Sequence, residues 1–219
     1  MKRSRQSLLA PAAAGAFLSL ALTAFAPAAL AAGSAEAGAA KAVVCVACHG
    51  VDGNSFNPEW PVLAGQNAAY TVNALKAFKA CQPDKPQDCE RNNVLMAPQA
   101  ATLTDQDMED IGAFFASKPR QPKAADENKL QTGERLYRGG NKESGIAACI
   151  ACHGPNGAGN APAGYPALGG QHAVYTAQQL RAYRSTERKS DLNQMMRNNT
   201  ARLTDAEIDA VASYIQGLR

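Results

Sequence analysis

The sequence predicts an all-α protein of two tandem helical domains. Three observations lead there. The pentapeptide Cys45-Val46-Ala47-Cys48-His49 returns as Cys149-Ile150-Ala151-Cys152-His153. The residues flanking the two copies also correspond, so the chain is a duplicated unit of about ninety residues and not a solenoid of many short repeats. Apolar residues recur at helical spacing behind threonine-headed starts, and no stretch alternates apolar with polar as a half-buried strand would.

Residues 1–31 read as an export signal. Lys2, Arg3 and Arg5 precede an apolar stretch from Leu8 to Leu30 that Pro11 and Pro27 interrupt, and Ala29-Leu30-Ala31 fits small-x-small cleavage after Ala31. The stretch is long enough to span a bilayer, so an uncleaved anchor is the alternative. Its alanine content, its prolines and the cleavage site favour removal. No later segment is apolar enough to cross a membrane.

Charge excludes one class of function. The chain carries 22 Lys and Arg against 19 Asp and Glu, and losing Lys2, Arg3 and Arg5 leaves 19 of each. A balanced chain gives no support to nucleic-acid binding. The balance is uneven along the chain: residues 32–120 hold 7 basic and 10 acidic side chains, residues 121–219 hold 12 and 9.

The first domain is expected over residues 32–118. Its first helix runs from Ala35 to Val46 into the pentapeptide, a second covers Tyr70 to Lys79, and a last one follows Thr104. Thr104-x-x-Asp107 is a close variant of a capping box, in which the hydroxyl accepts from a first-turn amide and the acid suits the positive helix end. Behind it Met108, Ile111, Phe114 and Phe115 recur at helical spacing and read as core. Residues 119–128 form the link. Pro119, Pro122 and the charges beside them suit an exposed, fairly stiff connector. The second domain, 129–219, repeats the plan: a helix from Lys129 to Arg138 with Gly133, Leu136 and Tyr137 inward, then Thr204-x-x-Glu207 and Ile208, Val211, Tyr214 and Ile215. Further repeat markers are Val62-Leu63-Ala64-Gly65-Gln66 with Ala167-Leu168-Gly169-Gly170-Gln171, and Leu103-Thr104-Asp105 with Leu203-Thr204-Asp205. His172 has no histidine counterpart, since Asn67 stands in the first half, and it reads as a surface residue.

C-x-x-C-H is the attachment motif of c-type haem. Two thiols add to the vinyl groups on one porphyrin edge, and the adjoining His then lies under the iron. Cys45, Cys48, Cys149 and Cys152 are therefore the candidate covalent attachment points of two haem c groups, with His49 and His153 as axial ligands. The alternatives are a zinc site or a redox dithiol. Zinc needs more thiols or imidazoles nearby, and the chain has three His in all. A covalently held porphyrin also supplies core that so small a domain lacks.

A second axial ligand closes the iron, and a thioether there favours the ferrous state. Met96 stands seven residues before Leu103 and Met196 seven before Leu203. The shared offset selects Met96 and Met196, with Met195 as the fallback; Met108 belongs to the core face of its helix. Cys81 and Cys89 remain after four of the six cysteines go to haem. In an oxidising compartment such a pair closes as a disulfide.

The chain resembles the di-haem cytochromes c4 over its whole mature length. The resemblance rests on Cys45 to Asn54, Leu63-Ala64-Gly65-Gln66, Arg138-Gly139-Gly140, Gly169-Gly170-Gln171-His172-Ala173 and the ending Ser213 to Leu218. It implies two tandem cytochrome c-like domains, each around one haem, with His/Met irons. It implies periplasmic electron transfer beside the membrane, towards a terminal oxidase, with redox proteins as partners and a peripheral membrane association. In c-type cytochromes a proline carbonyl commonly accepts from the ligand His; Pro61 and Pro166 fit that role, and a rigid turn is the alternative. The Cys81–Cys89 pair is not a feature the resemblance supplies.

An electron carrier with no small-molecule substrate is the leading expectation, and not an enzyme. A haem subunit of a dehydrogenase or sulfide-oxidising complex would share the same chemistry. A di-haem peroxidase needs one open iron, against which both Met candidates count.

Overall fold

The computed structural model describes residues 33–81 and 89–219, all helical or irregular apart from isolated bridges. The expected signal, 1–31, lies outside the described residues. Ten α-helices are described: α1 Ala35–Lys41, α2 Val43–His49, α3 Ala68–Lys79, α4 Met96–Ala101 and α5 Asp105–Ala116, then α6 Glu127–Gly139, α7 Ile150–His153, α8 Ala173–Arg184, α9 Met195–Thr200 and α10 Asp205–Gly217. The second five repeat the first five. None is long and apolar enough to cross a membrane among the described residues.

Each lobe is built on a crossing of its first and last helices, α1 on α5 and α6 on α10. Both last helices begin with a complete capping box, Thr104 with Asp107 and Thr204 with Glu207. The box fixes where the helix starts and hence which residues face inward. Met108, Ile111, Phe114 and Phe115 are buried in one lobe, Ile208, Val211, Tyr214 and Ile215 in the other. A glycine opens each crossing: Gly38 lies against Asp110 and Phe114, Gly133 against Ala210 and Tyr214. α3 and α8 pack on the far side of α5 and α10, and the short α4 and α9 pack on α3 and α8.

Two local expectations change, and a third gains detail. The first helix does not run unbroken to Val46. It stops at Lys41, and Ala42 (φ −74, ψ −3) relays into α2, whose Cys45 N–H donates to Ala42 O at 2.8 Å. α6 starts at Glu127, two residues early, because Asp126 caps it through Asn128 N. The link, expected as an exposed, fairly stiff connector, is also tied to both lobes. Pro119 O and the Gln121 N–H bond the two ends of the Asn54 amide at 3.0 and 2.9 Å, and Ala124 O accepts from Gln216 at 2.8 Å. Arg120 turns inward. Its Nε donates to Ala64 O at 2.8 Å and its Nη1 to Gly169 O at 2.6 Å, so one guanidinium joins equivalent carbonyls of both lobes.

The lobes meet about a local twofold axis. Gln66 Nε2 donates to Ala167 O and Gln171 Nε2 to Val62 O, each at 2.9 Å. Arg91 reaches the Tyr175 hydroxyl at 2.8 Å and Arg188 the Tyr70 hydroxyl at 3.0 Å. Each guanidinium also lies over a ring of its own lobe, Arg91 on Phe78 at 4.4 Å and Arg188 on Tyr183 at 4.5 Å. Burial alone would push the Tyr70 hydroxyl up, but Arg188 and Arg91 outweigh it and bring its pKa to about 8. His172 belongs to this interface and is not on the surface: it is buried, with Nε2 2.9 Å from Ser55 O. Asn67, its repeat counterpart, likewise crosses the interface, donating to Tyr165 O at 2.8 Å.

Cys81 and Cys89 are joined as a disulfide, as the sequence leads one to expect. The bond closes the segment just ahead of Arg91. It therefore anchors the strip that carries Arg91 to its bridge with Arg188.

Candidate haem centres

Both pentapeptides lie at the ends of short helices that stop at glycine. α2 ends at His49 and α7 at His153, and Gly50 and Gly154 follow with φ of 83° and 76°. The left-handed turn is open to glycine without a Cβ penalty. The imidazole just before each glycine is buried. Helical geometry places the two cysteines of each motif nearly one turn apart. Cys45 and Cys149 are half-buried, Cys48 and Cys152 exposed, and none of the four is in a disulfide.

The two histidines have matching surroundings. His49 is 6 % exposed and His153 7 %. His49 Nδ1 donates to Pro61 O at 2.9 Å and His153 Nδ1 to Pro166 O at 3.0 Å. The prolines are thus more than rigid turns. With Nδ1 carrying the shared proton, Nε2 is the basic nitrogen of each ring. Burial lowers both imidazole pKa values below the ordinary range, and the proline carbonyls oppose that only in part. Both rings are neutral at pH 7, the form that ligates a metal.

Met96 opens α4 and packs against the first-lobe core together with Cys45, Leu63 and Leu103. In the second lobe Cys149, Ile150 and Leu168 pack on the equivalent core. Met196 is half-buried like Met96, whereas Met195 is exposed and its sulfur accepts from the Tyr165 hydroxyl at 3.7 Å. Met108 is fully buried in the core of α5, as its spacing predicts. A haem suits this donor set. Each lobe offers two unbridged thiols, a buried neutral imidazole oriented through Nδ1, and an apolar cluster beside them. Among the described residues no group of three or more His, Cys, Asp and Glu could hold a metal ion.

Sequence reasoning did not find the roles of Arg91, Arg188 and Arg120. Their carbonyl and hydroxyl partners are distant in sequence, and the arginines stand at different offsets in the two halves. Gln66 and Gln171 were visible as repeat markers, but their partners were not.

Comparison with known proteins agrees with the geometry. The Cytochrome c family model matches residues 35–118 and again 131–219. Cytochrome c4 of Stutzerimonas stutzeri is 48 % identical over 190 residues, covering 86 % of this chain and 90 % of that protein. A thiosulfate dehydrogenase electron acceptor from the same species, strain A1501, is 36 % identical, covering 79 % of this chain and 78 % of that protein. The crystal structure of reduced recombinant cytochrome c4 from Pseudomonas stutzeri superposes with a TM-score of 0.83 at 47 % identity, covering 86 % of this chain and all of that one. Two cytochrome c lobes, each with a haem-attachment motif and a buried, carbonyl-tethered histidine, make this chain a member of the cytochrome c4 family, electron-transfer proteins with two covalently bound haem c groups.

Proposed function

We propose that His49 and Met96 would ligate the iron of one haem and His153 and Met196 that of the other. Cys45 and Cys48 carry the first porphyrin, Cys149 and Cys152 the second. The observation that carries this reading is the duplicated, buried His–proline carbonyl bond. Haem supplies a one-electron ferric/ferrous couple when bound. The residues around it fix that couple. The proline carbonyl holds the ring plane and raises the basicity of the coordinating nitrogen. The methionine thioether would favour the ferrous state and leave the iron no open position for small molecules. The choice of Met196 over Met195 is supported by burial: Met96 and Met196 are both half-buried, and each precedes by four residues a buried side chain, Ala100 or Thr200.

The protein acts in the periplasm, exported by the segment that ends at Ala31, and passes electrons between a donor protein and a terminal oxidase at the membrane surface. Its partners are redox proteins, and it turns over no substrate of its own. The similarity to a thiosulfate dehydrogenase electron acceptor favours, as a second reading, service to such a dehydrogenase; the haem chemistry is the same. The ligand assignment is tested by substitution. Met196→Ala should remove half of the thioether-to-iron absorption of the oxidised protein and lower one potential, while Met195→Ala leaves both. The opposite pattern refutes the assignment.

A further inference from the structure

The peptide groups that hold the two histidines are hydrogen-bonded at both ends, and the far end belongs to the other lobe. The Pro61–Val62 peptide accepts from His49 through its oxygen and donates to Gln171 Oε1 through its N–H at 2.8 Å. The Pro166–Ala167 peptide accepts from His153 and donates to Gln66 Oε1 at 2.8 Å. Each glutamine returns a second bond, to Val62 O or Ala167 O. The amide orientations are fixed by this network. Oε1 of Gln66 also faces the Asn67 N–H at 2.9 Å, Oε1 of Gln171 faces the His172 N–H at 3.0 Å, and each Nε2 faces a carbonyl. Gln66, Gln171, Val62 and Ala167 are all buried, so water does not compete for these bonds.

A peptide that donates through its N–H carries more negative charge on its oxygen, because linked hydrogen bonds polarise one another. Gln171 thereby makes Pro61 O a better acceptor for His49. The better acceptor draws the Nδ1 proton harder and makes the imidazole a more basic ligand. A more basic ligand stabilises ferric over ferrous iron and lowers the potential. Gln66 does the same for His153. We propose that Gln66 and Gln171 are crossed positioning residues: each lobe's glutamine sets the potential of the haem in the opposite lobe. This rests on His49 and His153 being iron ligands, as proposed above. It makes the lobe interface part of each redox centre, and separation of the lobes raises both potentials.

The test uses the full-length holoprotein with both haems attached. Gln171→Met and Gln66→Met keep side-chain length and remove the amide. Both potentials are measured by spectroelectrochemical titration, with each haem assigned by NMR. Gln171→Met should raise the potential of the haem on Cys45 and Cys48 and leave the other near its wild-type value; Gln66→Met should do the reverse. Equal shifts at both haems, a shift confined to the glutamine's own lobe, or no shift each overturn the proposal. A measurement on the reduced wild-type protein needs no variant: a through-hydrogen-bond coupling between the Val62 amide nitrogen and the Gln171 side-chain carbonyl carbon is expected, with its counterpart at Ala167 and Gln66. Absence of both couplings overturns the proposal as well. A wild-type spectrum lacking histidine–iron ligation would sink the ligand assignment instead, whereas a normal spectrum with uncrossed potentials sinks only this inference.

Discussion

Gly133→Ala isolates the helix crossing on which the second lobe is built. A methyl group at Gly133 would fall inside contact distance of Ala210 O, 2.6 Å from Tyr214 Cβ and 2.9 Å from Ala210 C. Carbon atoms pack at about 3.5–4.0 Å, so α6 and α10 must part by about 1 Å. No rotamer change relieves the clash, because the obstructing atoms are backbone and Cβ. Overpacking costs about 1–3 kcal/mol, and a shift of a whole helix belongs at the upper end. Alanine in a helix returns about 0.5–1 kcal/mol relative to glycine. The net loss expected is about 2 kcal/mol, with Leu136, Tyr137, Ile208 and Val211 of the same cluster losing contact. Gly139→Ala is the control. Gly139 ends the same helix and a Cβ there meets nothing within 4 Å, so that variant should match or slightly exceed wild-type stability. Denaturant unfolding followed by far-ultraviolet circular dichroism and haem absorbance reads the effect as a lower midpoint at unchanged slope. Equal stability of the two variants would refute the packing argument.

Three further outcomes are expected. Arg120→Ala removes charged hydrogen bonds to both lobes, each worth about 1.5–3 kcal/mol, and calorimetry should show the lobes unfolding further apart in temperature than in the wild type. Lys41, with the Ser34 N–H, holds the Asp110 carboxyl down at about 2. A depressed folded pKa contributes stability above the ordinary carboxylate value and loses it as pH falls. First-lobe stability should therefore decline from about pH 4 to pH 2, and Asp110→Asn should flatten that decline when unfolding is measured across a pH series. The uneven charge of the halves predicts that electron-transfer rates with a partner charged oppositely to the lobe it docks on fall as ionic strength rises, read by stopped-flow absorbance.

Much of the fold was legible because a duplication writes each element twice. The capping boxes located α5 and α10 directly, and the spacing behind them named the buried residues. The haem motifs were legible because thiol spacing is dictated by the porphyrin. What escaped was everything that joins the lobes. A lone His172 looks like a surface residue, since nothing local reveals that Ser55 lies across an interface. The link reads as an exposed, fairly stiff connector from its prolines and charges, but nothing local shows that Arg120 is held by carbonyls far away in the chain. The stop at Ala42 is equally hidden: alanine is a strong helix former, and the break answers to tertiary packing around a fully buried residue.

The central claim is that two closed His/Met haems make this chain an electron carrier. A spectroscopic redox titration of the purified holoprotein, repeated under carbon monoxide, tests it most directly. Two one-electron centres should appear, both with thioether-to-iron absorption when oxidised, and carbon monoxide should leave both ferrous spectra and both potentials unchanged. A single centre, or one haem that takes up carbon monoxide readily and lacks the thioether band, would contradict it.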